Sequence, residues 1–175
     1  MRRFTQLDQV KGADGVLWFA APELTRTGPL DDETLTVACA HVGLARDEVV
    51  DHAWGVNGPR WAMLELADAD AVRALRRSPL PDGLFVGVVG FTGGDEHLYE
   101  VRAFVAGSPA EDPVTGSLNA AVAAWQRAKG AAPASSQVKQ GMQLGSDGLI
   151  HVRGDADGLW IGGAVRTMVR GTVEL

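Results

Sequence analysis

Residues 117–129, SLNAAVAAWQRAK, are rich in helix-favouring residues and apolar on nearly every helical face. The helix has a clear stop, because Gly130 and then Pro133 follow it. A helix that is apolar nearly all round has to be buried on most of its surface, rather than along one stripe. A sheet wrapped around the helix would supply that burial. The segment therefore predicts a fold built around one central helix.

Most of the remaining chain has the pattern of short strands. The sequence predicts a second helix at PLDDETLTVACAHVGL, with Asp31 or Asp32 as its N-cap and Gly43 as its stop. A short third helix is predicted after Asp68, which is placed to cap it. The predicted strands are residues 16–20, 58–68, 83–91, 96–107, 148–154, 158–165 and 166–175. Since strands outnumber helices by more than two to one, the expected fold class is α+β.

Composition excludes several classes of function. The net charge is −6 and no run of Lys or Arg interrupts it, so nucleic acid is not an expected partner. The longest apolar stretch, LFVGVVGF, is too short to cross a bilayer, and the N-terminus lacks the apolar core of a signal peptide. We therefore expect a cytoplasmic protein with no membrane contact. Cys39 is the only cysteine and the four histidines lack paired spacing, so no metal site is expected.

Two acids, Glu111 and Asp112, stand just before the central helix in the string EDPVTGS. One interpretation is ordinary capping, in which Thr115 or Ser117 accepts a bond from a first-turn amide and stabilises the helix by about 1 kcal/mol. The other is a ligand site. Gly116 leaves the amides open to an anion, which the helix dipole favours, and the upstream carboxylates are placed to move a proton. The residue pattern alone does not choose between the two.

The longer string RAFVAGSPAEDPVTGSLNAAV resembles the signature of the PhzF (phenazine biosynthesis) family, within the diaminopimelate-epimerase-like superfamily. The strings NGPRWAMLEL, KQGMQLGSDGLIHV, IGGAV and GTVEL are similar to the second half of those proteins, so the resemblance covers nearly the whole chain. Members have two lobes, each a β-barrel-like sheet around one central helix, with the active site in the cleft between lobes. The resemblance implies that residues 1–22 are a first-lobe remnant or crossover hairpin. Residues 23–175 would be the second lobe, whose last strand could return toward the first.

The resemblance also implies roles for individual residues. It implies that Asp112 contacts the substrate and assists proton transfer, with no metal and no cofactor. Amides and hydroxyls at the helix start would hold a substrate carboxylate, and Arg102 matches a position that shapes the same region. The candidate substrate-binding residues are Glu111, Thr115, Gly116, Ser117, Gln140 and Gly141.

The chain also departs from the family pattern. The family's catalytic Glu, in a Ser-Glu-Thr-like string, and its Gly-His-x-Thr-x-Gly string have no counterpart, since no histidine here follows a glycine. The resemblance implies an isomerase or epimerase lobe that transfers protons on a small carboxylate-bearing metabolite without a cofactor. The missing Glu would come from a second copy in a homodimer or from a separate first lobe, unless the natural chain is longer. The alternative is a non-catalytic or vestigial module that binds small anions.

Overall fold

The computed structural model describes residues 9–11, 15–76, 83–94, 96–108, 111–166, 168–169 and 171–172. Within these ranges the chain forms one nine-stranded sheet and three α-helices. The strands are β1 (Gln9–Lys11), β2 (Leu17–Ala20), β3 (Val49–Val56), β4 (Arg60–Leu66), β5 (Phe85–Phe91), β6 (Tyr99–Val105), β7 (Ser135–Gln140), β8 (Gly148–Asp155) and β9 (Gly158–Gly163). The helices are α1 (Asp32–Val42), α2 (Ala69–Ala74) and α3 (Gly116–Ala128). None of the described helices is long and apolar enough to cross a membrane.

The strand order in the sheet is β1-β2-β9-β8-β7-β6-β5-β4-β3. Two neighbouring pairs, β4 with β5 and β6 with β7, are parallel, and the other pairs are antiparallel. Parallel neighbours need a crossover connection, and here α2 and α3 supply the two crossovers. The sheet is not closed, and β1 and β3 are its two edge strands. The β1–β2 hairpin joins the same sheet through pairing of β2 with β9.

Helix α3 lies inside the curved sheet, as the apolar sequence predicts. Each of the strands β3 to β9 contributes buried side chains to one core around this helix. Representative inward-facing residues, one from each strand in chain order, are Ala53, Met63, Val89, Val101, Val138, Ile150 and Ile161. The predicted α+β class and the barrel-like sheet around one hydrophobic helix are therefore confirmed. The observed helix begins and ends one residue earlier than the predicted one.

A second core lies on the outer face of the sheet, under α1 and α2. Along β4, Met63 belongs to the inner core and Leu64 to the outer one, because successive strand residues face opposite sides. Strand β5 is buried on both faces in the same way. Cys39 of α1 packs in the outer core as a small apolar residue, and burial raises the pKa of its thiol.

The predicted helix caps are confirmed. Asp31, rather than Asp32, caps α1 by accepting a 2.9 Å hydrogen bond from the Thr34 amide. Gly43 ends that helix in the left-handed conformation, with φ of 71°. Asp68 caps α2 through the Ala71 amide at 2.8 Å.

Besides β1, the strands β3 and β7 are absent from the strands predicted from the sequence. Strand β3 contains Asp51 and His52, which interrupt an alternating pattern. The Asp51 carboxylate pairs with Lys129 Nζ at 2.6 Å, and His52 Nδ1 accepts the Leu30 amide at 3.0 Å. Strand β7, SSQVKQ, is polar throughout its length except for one valine. In both strands, residues distant in the sequence bond to the polar side chains. The local sequence alone, because it is so polar, predicts a loop at these positions.

The predicted strand 166–175 is not observed in the part of it that the structure describes, residues 166, 168–169 and 171–172. Its other residues lie outside the described ranges, as do residues 12–14 of the predicted first hairpin turn.

Glu100 links β6 to α2 and should make the fold sensitive to acid. Its carboxylate pairs with Arg73 of α2 and with His97 Nε2 at 3.0 Å. Burial by itself would raise the pKa of Glu100, but these bonds outweigh it and hold the pKa below its ordinary value of 4.5. The stabilisation is therefore present above the unfolded-state pKa and is lost as pH falls through the lower, folded-state pKa.

We expect the free energy of unfolding of the wild type to fall more steeply than that of Glu100→Gln as pH is lowered from about 7 to about 3.5. Urea titrations at each pH measure this difference. Glu96→Gln, at an exposed acid on the preceding loop, is the matched control and should follow the wild type. Equal slopes for wild type and Glu100→Gln would contradict the assignment.

Candidate active site

The acidic loop before α3 is held against the ends of β6 and β7. The Asp112 amide donates to the Ala103 carbonyl at 3.1 Å, so the loop turns back alongside β6. Gly141, directly after β7, has φ of 91°, and a Cβ there would lie 2.4 Å from the Pro113 carbonyl oxygen. Both the backbone conformation and this close approach require glycine. Gly141 therefore fixes the loop through backbone packing.

A hydrogen-bond network joins Asp112, Thr115 and Gln140. The Thr115 hydroxyl donates to Asp112 Oδ2 at 2.8 Å. The Gln140 side-chain NH₂ donates to the Asp112 carbonyl at 2.7 Å and to Thr115 Oγ1 at 2.8 Å, while Oε1 accepts the Thr115 amide at 3.0 Å. Thr115 and Gln140 are both buried. The structure thus brings together three of the predicted site residues and fixes the Asp112 side chain from one side.

The first turn of α3 lacks the usual side-chain cap. Thr115 occupies the N-cap position but makes no capping bond, because its hydroxyl is bound to Asp112 and Gln140. The first backbone bond of the helix runs from the Asn119 amide to the Thr115 carbonyl at 3.0 Å. Amides before Asn119 point out of the helix end, where the dipole favours negative charge. Because no side chain caps these amides, the start of the helix is available to bind an anion.

Ser117 is positioned by the β3–β4 turn and by β4 itself. The Trp61 indole donates to Ser117 Oγ at 3.1 Å, and the Asn57 side chain donates to the Ser117 carbonyl at 2.8 Å. The Ser117 hydroxyl accepts the indole bond, which leaves its own proton available for a ligand. Trp61 and Asn57 are site residues that the sequence did not single out.

The two adjacent acids have different surroundings. Both Glu111 oxygens are bound by Arg102, through Nε at 3.0 Å and through Nη2. Arg102 also donates to the carbonyls of Val72 and Leu75 at the end of α2, at 3.0 and 2.8 Å. No Lys, Arg or His among the described residues pairs with Asp112. Glu111 is thus the partner of a buried arginine, whereas Asp112 is held by a neutral hydroxyl.

Asn119 is a further polar residue at this helix end that the sequence analysis missed. It is completely buried, and its NH₂ group donates to the Thr115 carbonyl at 2.9 Å and to Gln140 Oε1 at 2.6 Å. Its Oδ1 has no hydrogen-bond partner in the described part of the chain. The available signal was an asparagine within the first two turns of an otherwise apolar helix.

A cavity of about 550 Å³ flanks the start of α3. Val114 and Gly116 of the acidic string line it, together with Asn119, but Asp112, Thr115 and Ser117 do not. The other walls come from β2, the start of β8 and the end of β9. Of the predicted site residues, Gly116 alone belongs to the described lining of this space. In the described ranges, no three His, Cys, Asp or Glu side chains are grouped to hold a metal ion.

Comparison with protein families establishes the relationship of this chain to known proteins. The family model described as phenazine biosynthesis-like protein, PhzC-PhzF, matches residues 3–171. This chain belongs to the phenazine biosynthesis-like family. The family resemblance seen in the acidic string is therefore confirmed over nearly the whole sequence. Comparison with curated protein sequences finds no match.

Several solved structures share the fold of this phenazine biosynthesis-like chain. A PhzF-family protein from Bacillus anthracis has a TM-score of 0.68 at 14% identity, covering 89% of this chain and 60% of that one. A Pseudomonas aeruginosa protein described as a predicted epimerase has a TM-score of 0.68 at 21% identity, covering 90% and 58%. A PhzF-family protein from Enterococcus faecalis has a TM-score of 0.61 at 18% identity, covering 95% and 60%.

At these identities the similarity establishes the fold alone. The chain spans about three fifths of the length of these structures, whose coverage is 60%, 58% and 60%. The similarity therefore does not by itself assign the activity of the longer proteins to this chain.

Proposed function

We propose that this chain is an isomerase or epimerase lobe that transfers protons on a small carboxylate-bearing metabolite without a cofactor. One observation carries the proposal: Asp112 lies beside the uncapped start of α3, fixed by Thr115 Oγ1 at 2.8 Å and unpaired with any described cation. An acid that is oriented but not neutralised by an ion pair can take up and release a proton. A helix end beside it can hold the anionic end of the substrate.

In the proposed chemistry, one group of atoms binds the substrate carboxylate and another transfers the proton. The amides of Gly116 and Ser117, with the Ser117 hydroxyl, bind the substrate carboxylate and fix its geometry. Asp112 then exchanges a proton with an atom close to that carboxylate. Gln140 and Gly141 hold the loop in place, while Glu111 contributes through its pair with Arg102. Proton abstraction on one side and return on the other need a second group, and the neighbouring acid, Glu111, is already paired with Arg102.

The second acid is proposed to come from another polypeptide, either a second copy of this chain or a separate first lobe. Large exposed apolar side chains surround the site and support such an association. They are Val114, Met142, Leu144, Leu149 and Val165, of which Val165 is 64% exposed. An apolar surface of this kind at the mouth of a site is typical of an interface.

Deuterium incorporation tests the proposed reaction directly. The purified protein is incubated in D₂O with a panel of carboxylates that have an acidic C–H bond, and mass spectrometry follows the label. Native mass spectrometry of the same sample reports the stoichiometry. Enzymatic labelling supports the proposal. Absence of labelling in every association state, with anion binding retained, would instead identify the non-catalytic anion-binding module.

Gly116→Val should remove anion binding whichever of the two functions is correct. A Cβ at residue 116 would lie 3.1 Å from Phe19, and a branched side chain would cover the amides at the helix start. We expect the thermal stabilisation that millimolar carboxylate gives the wild type to disappear in the variant. Gly94→Val, at an exposed glycine where a Cβ would have only Thr92 Oγ1 within reach, at 4.0 Å, is the control and should keep the stabilisation. Stabilisation of Gly116→Val equal to that of the wild type would place the anion elsewhere.

A further inference from the structure

The cavity beside α3 is apolar where it extends away from the helix end. The polar lining residues are Asn119, Ser146 and Asp147. Its volume of about 550 Å³ lies within the range of small-molecule sites. The large apolar side chains that line it are Leu17, Phe19, Val114, Leu149, Ile150, Ile161 and Val165, with Trp18. Such a wall favours a hydrocarbon group, and it provides few hydrogen-bond partners for a second charged group of the ligand.

Asp147 is the only charged side chain among the described residues that line the cavity. Asp147 is 84% exposed at its side chain and lies 3.5 Å from Lys139 Nζ. The positive end of the cavity is the start of α3, at Gly116. The cavity therefore has one end that suits an anion and an apolar body beyond it.

Glycine at residue 163 keeps the cavity open. A Cβ there would have only the Leu149 carbonyl oxygen within 4 Å, at 3.8 Å, and the residue does not have a positive φ. A larger side chain can therefore be accommodated by the backbone and would occupy the cavity itself. Gly162, its neighbour, is different, because a Cβ there would lie 2.6 Å from Trp18.

A buried polar atom at the cavity wall is a second sign of a ligand. Asn119 Oδ1 is unpartnered, and the amide cannot simply be turned round, because its NH₂ group already faces two acceptors, the Thr115 carbonyl and Gln140 Oε1. Buried polar atoms are normally bonded, so an unpartnered one beside a cavity indicates a missing donor. A water molecule bound together with the ligand would provide that donor.

We propose that this cavity binds the non-reacting apolar body of the substrate, so that the substrate is a carboxylate bearing a hydrocarbon group of about phenyl size or larger. The inference depends on the proposed function, since it places the carboxylate at the Gly116 end of the cavity. It adds the substrate class, which excludes small, fully polar acids as preferred ligands. Gly163 acts as the specificity-determining position.

Three probes separate the charge from the apolar body. Acetate has the carboxylate alone, phenylacetate has both parts, and phenylacetamide has the body without the charge. Binding is measured by ¹⁵N NMR titration, with the Gly116 amide as reporter. We expect phenylacetate to bind at least about tenfold more tightly than acetate, as burial of a phenyl group predicts. It should also bind more tightly than phenylacetamide.

Gly163→Leu should remove the advantage of phenylacetate over acetate while leaving acetate binding unchanged. Gly94→Leu, at an exposed glycine where a Cβ would have only Thr92 Oγ1 within reach, at 4.0 Å, is the matched control and should behave like the wild type. If Gly163→Leu does not fold, Gly163→Ala gives a smaller effect of the same sign, and the wild-type probe series decides without any variant.

The outcomes distinguish this inference from the proposed function. Equal affinities for acetate and phenylacetate overturn the inference and leave the anion site intact. Equal affinities for phenylacetate and phenylacetamide also overturn it, because the body would then bind without the anion. If acetate and phenylacetate both fail to bind the folded wild type, the anion site of the proposed function is overturned as well.

Discussion

Asp112→Asn is expected to reduce deuterium incorporation into a turned-over carboxylate by about 10²–10⁴-fold, the range associated with loss of a positioned acid or base. The substitution is nearly isosteric. An amide oxygen can still accept the 2.8 Å bond from Thr115 Oγ1, so the loop and the helix start should keep their geometry. The amide cannot take up a proton at neutral pH. The variant should therefore bind carboxylate like the wild type while losing exchange.

The matched control for this prediction is Asp157→Asn. Asp157 is an exposed acid in the turn between β8 and β9, and it belongs neither to the cavity lining nor to the Thr115 and Gln140 network. Exchange by Asp157→Asn should remain close to that of the wild type. Undiminished exchange by Asp112→Asn, measured in the same assay, would remove Asp112 from the proposed mechanism. Loss of carboxylate binding together with exchange would instead assign it a binding role.

The central helix, and the position of the acidic string at its start, were predictable because their signals are local. An apolar helix with a glycine stop needs burial wherever it lies in a fold. Caps at Asp31 and Asp68 depend on residues three positions away, which the sequence shows directly. The string EDPVTGS likewise keeps its acid, hydroxyl and glycine within one turn. These features follow from residues close together in the chain.

The different surroundings of the two acids could not be predicted, because they depend on distant parts of the chain. Glu111 and Asp112 are equivalent in sequence terms. Their environments differ because Arg102 lies on β6 and is itself held by carbonyls at the end of α2. Strand β7 was missed for a related reason. Its polar Gln140 is buried in the network under Thr115, where local pattern predicts a loop.

Replacing Arg102 with methionine is expected to lower the free energy of unfolding by about 3–5 kcal/mol, the usual effect of removing one partner of a buried ion pair. The side chains of Arg102 and Glu111 are each only 9% exposed. Without the guanidinium, the Glu111 carboxylate would remain buried without its counter-charge. The carbonyls of Val72 and Leu75 would lose their donors as well. Urea unfolding followed by tryptophan fluorescence measures the change.

A double variant separates the cost of an unpaired charge from the loss of packing. In Arg102→Met with Glu111→Leu no charge remains buried, so part of the lost stability should return, as apolar replacements of buried pairs often allow. Arg46→Met removes one partner of the exposed Arg46–Asp32 pair and should change stability by about 1 kcal/mol or less. If Arg102→Met were as mild as Arg46→Met, the ion pair would not be what fixes the acidic loop. If the double variant recovers stability but not exchange, Arg102 serves to position the neighbouring Asp112 as well as to stabilise the fold.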